Sequence, residues 1–157
     1  MMLLNDLPVS SEISRFQLYL QYARQDYLEL EGSLYNPKYG FGIDFLSIGQ
    51  LFTSLEWLFD YVQFPMASQE TRNFYPPSKD KKDSSYPLNI AQAPGSPCYA
   101  INDATALPEA NFILHIQFRQ NATWQGLLTK ISTGETQRFS SELELVKLLM
   151  SSLEMGM

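Results

Sequence analysis

Shifted by 94 residues, the chain lies on itself: Gly32 falls on Gly126, Gly40 on Gly134, Phe45 on Phe139, Ser47 on Ser141, Leu51 on Leu145 and Leu55 on Leu149, with Asp60 on Glu154. No gap is needed across that stretch. Upstream the offset grows by one and then two residues, so that Arg24-Gln25 meets Arg119-Gln120, and Phe16, Leu18, Gln21 and Tyr22 meet Phe112, Leu114, Gln117 and Phe118. A repeat constrains a fold more than any local propensity, because each copy is a supersecondary unit that leans on its neighbour to bury an apolar face. The two ends, 15–64 and 111–154, read as versions of one unit. A unit of about 45 residues is too small to bury its own helix, so the two must share a core.

The repeat also arbitrates between periods. Ile13, Phe16, Leu20, Ala23, Tyr27 and Leu30 stand at helical spacings, while Phe16, Leu18, Leu20 and Tyr22 also alternate with polar neighbours. The matching stretch Phe112-Ile113-Leu114-His115-Ile116-Gln117-Phe118 is short, β-branched and alternating, which favours a strand in both places. A second strand is expected at 27–35 and 122–131, then a turn at Gly40 or Ser132-Thr133-Gly134, then a short third strand ending at Phe45 or Phe139. Ser47-x-x-Gln50 and Ser141-x-x-Glu144 each match a helix-opening capping box. Behind the first cap, Ile48, Leu51, Leu55, Leu58 and Val62 repeat at 3 and 4, and Pro65 closes the run. Behind the second, Leu145, Leu148, Leu149 and Leu153 form a narrower stripe. The expected fold is α+β: two pseudo-symmetric ββ(β)α units forming an antiparallel sheet, with two helices packed on one face.

At 157 residues the whole chain, 1–157, is one domain built from an internal duplication, and 45% apolar with 18% charged residues excludes wholesale disorder. The stretch 65–110 interrupts the two units as an irregular connector. It holds seven of the nine prolines and the charged run Lys79 to Asp83. Its apolar residues, among them Tyr86, Leu88, Ile90 and Tyr99, predict partial docking, with a loose tip near 78–85. Seventeen acidic against eleven basic residues leave a net charge of -6. Eight of those acids and only three bases fall in 1–64, which argues against direct nucleic-acid binding. Cys98 is the single cysteine, so neither a disulfide framework nor a cysteine zinc site is available. Met1 to Ser11 lacks a basic flank and an apolar run, and no segment is apolar enough to span a bilayer, so a cytoplasmic, membrane-free setting is expected.

Chemistry-bearing residues are few. His115, the one histidine, falls on a strand facing away from Leu114 and Ile116, alongside Gln117 and in the direction of Arg119. It reads as a surface histidine with no orienting partner for general-base work. The carboxylate pairs Glu29/Glu31 and Glu142/Glu144 suit a solvated strand face and a helix first turn, respectively. No EF-hand spacing, GxGxxG or P-loop occurs, so neither metal nor cofactor is expected. Asn121-Ala122-Thr123-Trp124-Gln125-Gly126 echoes the N-x-S-x-x-G of PilZ domains, but the R-x-x-x-R that motif needs is missing: no arginine lies between Arg72 and Arg119. Aromatic residues, 13% of the chain, cluster in the first unit, where the negative charge favours protein partners over phosphates.

The run Gln117-Phe118-Arg119-Gln120-Asn121-Ala122-Thr123-Trp124-Gln125-Gly126, followed by Phe139-x-Ser141-x-Leu143-Glu144-Leu145, resembles a segment of small uncharacterised proteins of Gram-positive gut anaerobes. Phe64-Pro65-Met66-Ala67-Ser68 with Arg72-Asn73-Phe74 is similar to a segment of a companion group. The resemblance covers about a third of the chain and implies a lineage and no site. The function expected is therefore a non-catalytic protein-binding or adaptor module. Its surface would be the polar sheet face of Gln17, Tyr19, Gln21, His115 and Gln117, with the connector from Ser68 to Tyr75. The alternative is an acidic antagonist that covers a basic nucleic-acid site on another protein through Asp26, Glu29 and Glu31.

Overall fold

The computed structural model of the chain describes residues 11–22, 30–64, 67–68, 90–120 and 123–156. A 3-10 turn at Ser11–Ser14 leads into strands β1 (Arg15–Tyr22), β2 (Glu31–Asn36) and β3 (Phe41–Phe45) and helix α1 (Ile48–Val62). Then come the short strands β4 (Ala67–Ser68) and β5 (Cys98–Ala100), followed by β6 (Phe112–Gln120), β7 (Thr123–Lys130), β8 (Glu135–Phe139) and helix α2 (Glu142–Gly156). The hydrogen-bonded order is β5-β3-β2-β1-β6-β7-β8, antiparallel throughout, with β4 added parallel to the end of β6. The alternating stretch at 15–22 is a strand, as its counterpart at 112–120 demanded. The expected second strand begins at Glu31, and 27–29 fall outside the described residues.

β1 and β6 form the centre, pairing Phe16 with Leu114, Gln17 with Ile113 and Leu18 with Phe112. Each then bulges. Leu20 opposes Gly32 and Tyr22 opposes Glu31, which leaves Gln21 as the extra residue. On the other side Ile116 opposes Gly126 and Phe118 opposes Gln125, which leaves Gln117 extra. Such a bulge crowds the partner backbone. A Cβ on Gly32 would lie 2.1 Å from the Tyr19 carbonyl oxygen, and one on Gly126 2.0 Å from that of His115. Side chains then satisfy backbone that the short β1–β6 ladder leaves open: Ser14 Oγ donates to the Ile116 carbonyl at 2.7 Å, and Asn111 Oδ1 accepts from the Leu20 N–H at 2.7 Å.

Both helices open on a serine cap. The Gln50 N–H donates to Ser47 Oγ at 3.1 Å and the Glu144 N–H to Ser141 Oγ at 3.2 Å. In return Gln50 Oε1 accepts from the Leu46 N–H and Glu144 Oε1 from the Ser140 N–H, one residue before the cap whose own N–H a standard capping box would use. Ile48, Leu51, Leu55, Leu58, Phe59 and Val62 of α1 and Leu145, Val146, Leu149 and Met150 of α2 enter one core with Phe16, Leu18, Leu34, Leu114, Ile116 and Trp124. The edges of Phe52 and Phe59 meet the Trp124 ring at centroid distances of 5.1 and 5.7 Å.

Two expectations need correction. The connector is not irregular throughout: Ile90 and Cys98 are buried, and β5 pairs with β3. Arg119 does not share a face with His115. The bulge at Gln117 reverses the alternation, as a one-residue slip must, so Phe118 is 45% exposed and Arg119 turns under α1 with only 6% exposure. There Arg119 Nη1 reaches Glu56 and Asp60, each at 3.2 Å, and its guanidinium stands 5.4 Å over the Phe59 ring. Trp124 Nε1 donates to the other oxygen of Glu56. The loose tip expected near 78–85 lies outside the described residues.

Candidate functional site

Among the described residues, both α-helices pack into the core on one side of the sheet. Strand alternation sends every second side chain to the opposite side. Following the register from edge to edge gives one row: Tyr99, Gly42, Tyr35, Gln17, Ile113, Thr129, Thr136. A second row runs Asp44, Ser33, Tyr19, and a third Arg15, His115, Leu127, Arg138. The structure thus brings Gln17, Tyr19 and His115 onto one face, with Gln17 exposed and the other two half-buried. Gln21 and Gln117 stand at the two bulges, Gln21 exposed and Gln117 half-buried. Of the connector stretch Ser68 to Tyr75, only Ser68 is described, and it pairs with Gln120.

The face is more apolar than its sequence pattern implies. Tyr35, Tyr99, Ile113 and Leu127 share it, residues the sequence reading left out. The signal for Tyr99 is Gly42: a Cβ there would lie 2.9 Å from the Tyr99 ring and 3.1 Å from that of Tyr35, so the glycine makes room for two tyrosines. Asp44 Oδ1 anchors the cluster, accepting from Tyr99 Oη at 2.9 Å and Ser33 Oγ at 2.7 Å. Partial burial, and then the Asp44 carboxylate, hold the Tyr99 phenol above the ordinary tyrosine range. It is a structural donor at neutral pH rather than a proton carrier.

His115, read from the sequence as a surface histidine on a partly polar sheet face, is half-buried there. Both ring nitrogens are buried, and neither has a hydrogen-bond partner among the described residues. Burial, followed by the Arg15 guanidinium across the strand pair, lowers its pKa, partly offset by the Ser11 backbone and Glu12. A neutral imidazole without an orienting partner can pack against a ligand but is poorly placed to shuttle protons. Beside it, Glu12, Arg15, Gln17, Lys38 and Ile113 line a recess of about 260 Å³, which gives the face one concave, charged corner. Burial pushes the Cys98 thiol up to about 12, so it is a packing residue and not a nucleophile.

No cluster of three or more metal-ligating side chains occurs among the described residues. None of the described helices is long and apolar enough to cross a membrane. Of the carboxylates named for an acidic antagonist, Glu31 is half-buried on β2, while Asp26 and Glu29 fall outside the described residues. No protein-family model, no curated protein and no solved structure matches the chain.

Proposed function

We propose that the chain is a duplicated βββα unit acting as a non-catalytic cytoplasmic protein-binding or adaptor module, with the helix-free sheet face as its contact surface. The observation that carries this reading is the row from Tyr99 to Thr136 on the side away from the helices, where Tyr99, Gln17, Ile113, Thr129 and Thr136 are exposed or half-buried while Gly42 and Tyr35 are buried. Protein interfaces have that composition, apolar and aromatic at the centre with polar groups between. Gln17, Tyr19, Gln21, His115 and Gln117 supply the polar and aromatic part, and Ile113 and Leu127 the aliphatic part. The net charge of -6 works against direct contact with nucleic acid.

The duplication is supported by the centre of the sheet. Phe16 and Phe112 are counterparts, as are Leu18 and Leu114, and the pairs Phe16–Leu114 and Leu18–Phe112 exchange under a two-fold axis through Gln17–Ile113. The matched bulges and serine caps follow the same operation.

Quantitative affinity capture from the native cell, using the wild type, the Tyr19→Ala/His115→Ala double variant and Leu46→Ala as a surface control, tests the binding reading. A set of proteins retained by the wild type and the control but lost from the double variant is the expected result. Equal retention by all three overturns the assignment to this face. Raising the salt concentration on the retained set then separates the readings, since an acidic antagonist releases its partner steeply with ionic strength and a largely apolar face does not.

A further inference from the structure

We infer that the outer edge of β8 docks an extended strand of a protein partner, one of whose apolar side chains enters the cleft beneath α2; the inference takes the two halves as copies of one unit. At matched positions the copies differ here. In the first half Tyr39, Phe41, Ile43 and Leu58 are buried, and β5 closes the edge, pairing Ala100 with Phe41, Tyr99 with Gly42 and Cys98 with Ile43. Their counterparts are Thr133, Glu135, Gln137 and Ser152. A cavity of about 400 Å³ opens where those side chains shrink or turn polar, with Phe112, Leu128 and Leu148 among the residues lining it. The volume falls within the usual range of ligand pockets. Among the described residues the sheet ends at β8, so the place that β5 takes beside β3 is vacant beside β8.

Charged residues on an edge strand commonly serve only to discourage aggregation. Glu135 and Arg138 fit that role, but edge protection needs charge along the strand and no space behind it. Space partly lined by Phe112, Leu128 and Leu148 next to an open ladder is the arrangement used in strand addition, where main-chain hydrogen bonds supply affinity and a pocket supplies selectivity. The β3–β5 pair gives the register. Cys98, opposite Ile43, is buried, whereas its neighbour Tyr99 lies on the helix-free face. Carried over to β8, the partner residue opposite Gln137 points into the cavity and the one opposite Thr136 joins the helix-free face. The occupant is therefore an antiparallel segment with one leucine-sized residue at that position.

The test titrates the isotope-labelled full chain with the capped peptide Lys-Thr-Thr-Leu-Thr-Thr-Lys and with the same peptide carrying aspartate at its centre. The leucine peptide is expected to shift the amide resonances of 135–139 and 148–152, and the aspartate peptide to bind roughly tenfold more weakly. Ser152→Leu, which fills the cleft as Leu58 does in the first half, is expected to weaken the leucine peptide by a similar factor, and Leu46→Ala to leave it unchanged. Gln137→Ile fills the same space should Ser152→Leu fail to fold. Shifts confined to the Tyr19 face, equal binding of both peptides, no binding, or β8 amides all protected from exchange in the free chain each overturn the inference. Loss of partners by the Tyr19→Ala/His115→Ala variant would then still stand, so the two claims fail separately.

Discussion

A single methyl group decides whether each bulge can form. The Cβ that alanine would add at Gly32 or Gly126 meets a backbone carbonyl oxygen at 2.1 or 2.0 Å, and a carbonyl held in a ladder cannot step aside as a flexible side chain does. Gly32→Ala and Gly126→Ala are each expected to cost about 1–3 kcal/mol, the usual range for overpacking, as read from denaturant melts. A neutral result at either site would mean that its bulge has another geometry. His115 makes a prediction of a different kind. Its folded pKa is lowered, first by burial and then by Arg15, so below its unfolded value of about 6.5 the unfolded chain binds more protons than the folded one. Stability is therefore full above that pH and falls as the pH drops through the lowered folded value. His115→Gln is expected to flatten this part of the stability profile, and an unchanged acid limb would show that the imidazole titrates normally in the fold.

The helices are where sequence and structure agree most closely, because their signals are local. Two serines three residues before Gln50 and Glu144 are enough to mark both starts, and both caps form. Ser47→Ala and Ser141→Ala are each expected to lower stability by about 0.5–2 kcal/mol; a neutral melt for either would remove that serine from the cap. The strands were legible as long as alternation held, from Phe16 to Leu20 and from Phe112 to Ile116. They became illegible at Gln21 and Gln117, since one extra residue changes the face of everything after it. That is why Arg119 was expected beside His115 and lies instead against Glu56, Asp60 and Phe59. β5 was invisible for another reason. Three residues carry no period, and only pairing with β3, more than fifty residues away in sequence, makes them a strand. Its presence changes what the connector is expected to do. Replacing 76–98 by a short glycine-serine link removes buried Ile90 and Cys98 and the Cys98–Ile43 pairing on the β3 edge, so clear destabilisation is expected. Ile90→Ala alone is expected to cost about 2–5 kcal/mol, checked in the same melts.

Across the whole molecule, one core joins β1–β3 and α1 to β6–β8 and α2. The pairing of Phe16 with Leu114 and Leu18 with Phe112 at the sheet centre is what the proposed two-fold relation requires, while β4 beside β6, β5 beside β3 and, among the described residues, the open edge of β8 with its cavity depart from it. The candidate face was legible in part, because Gln17, Tyr19 and His115 alternate on strands the repeat identifies. Tyr35, Tyr99 and Leu127 join them only through cross-strand register, which no local pattern encodes. The cavity under α2 is likewise hidden until the proposed repeat matches Phe41 with Glu135 and Leu58 with Ser152. The duplication about the β1–β6 seam underlies both functional proposals, and nuclear Overhauser contacts across that seam test it most directly. Cross-strand contacts joining Phe16 to Leu114 and Leu18 to Phe112, together with matched contacts from Leu20 to Gly32 and from Ile116 to Gly126, are the predicted result. Helical contacts running through 13–22, or any register that does not centre on Gln17 and Ile113, would contradict it.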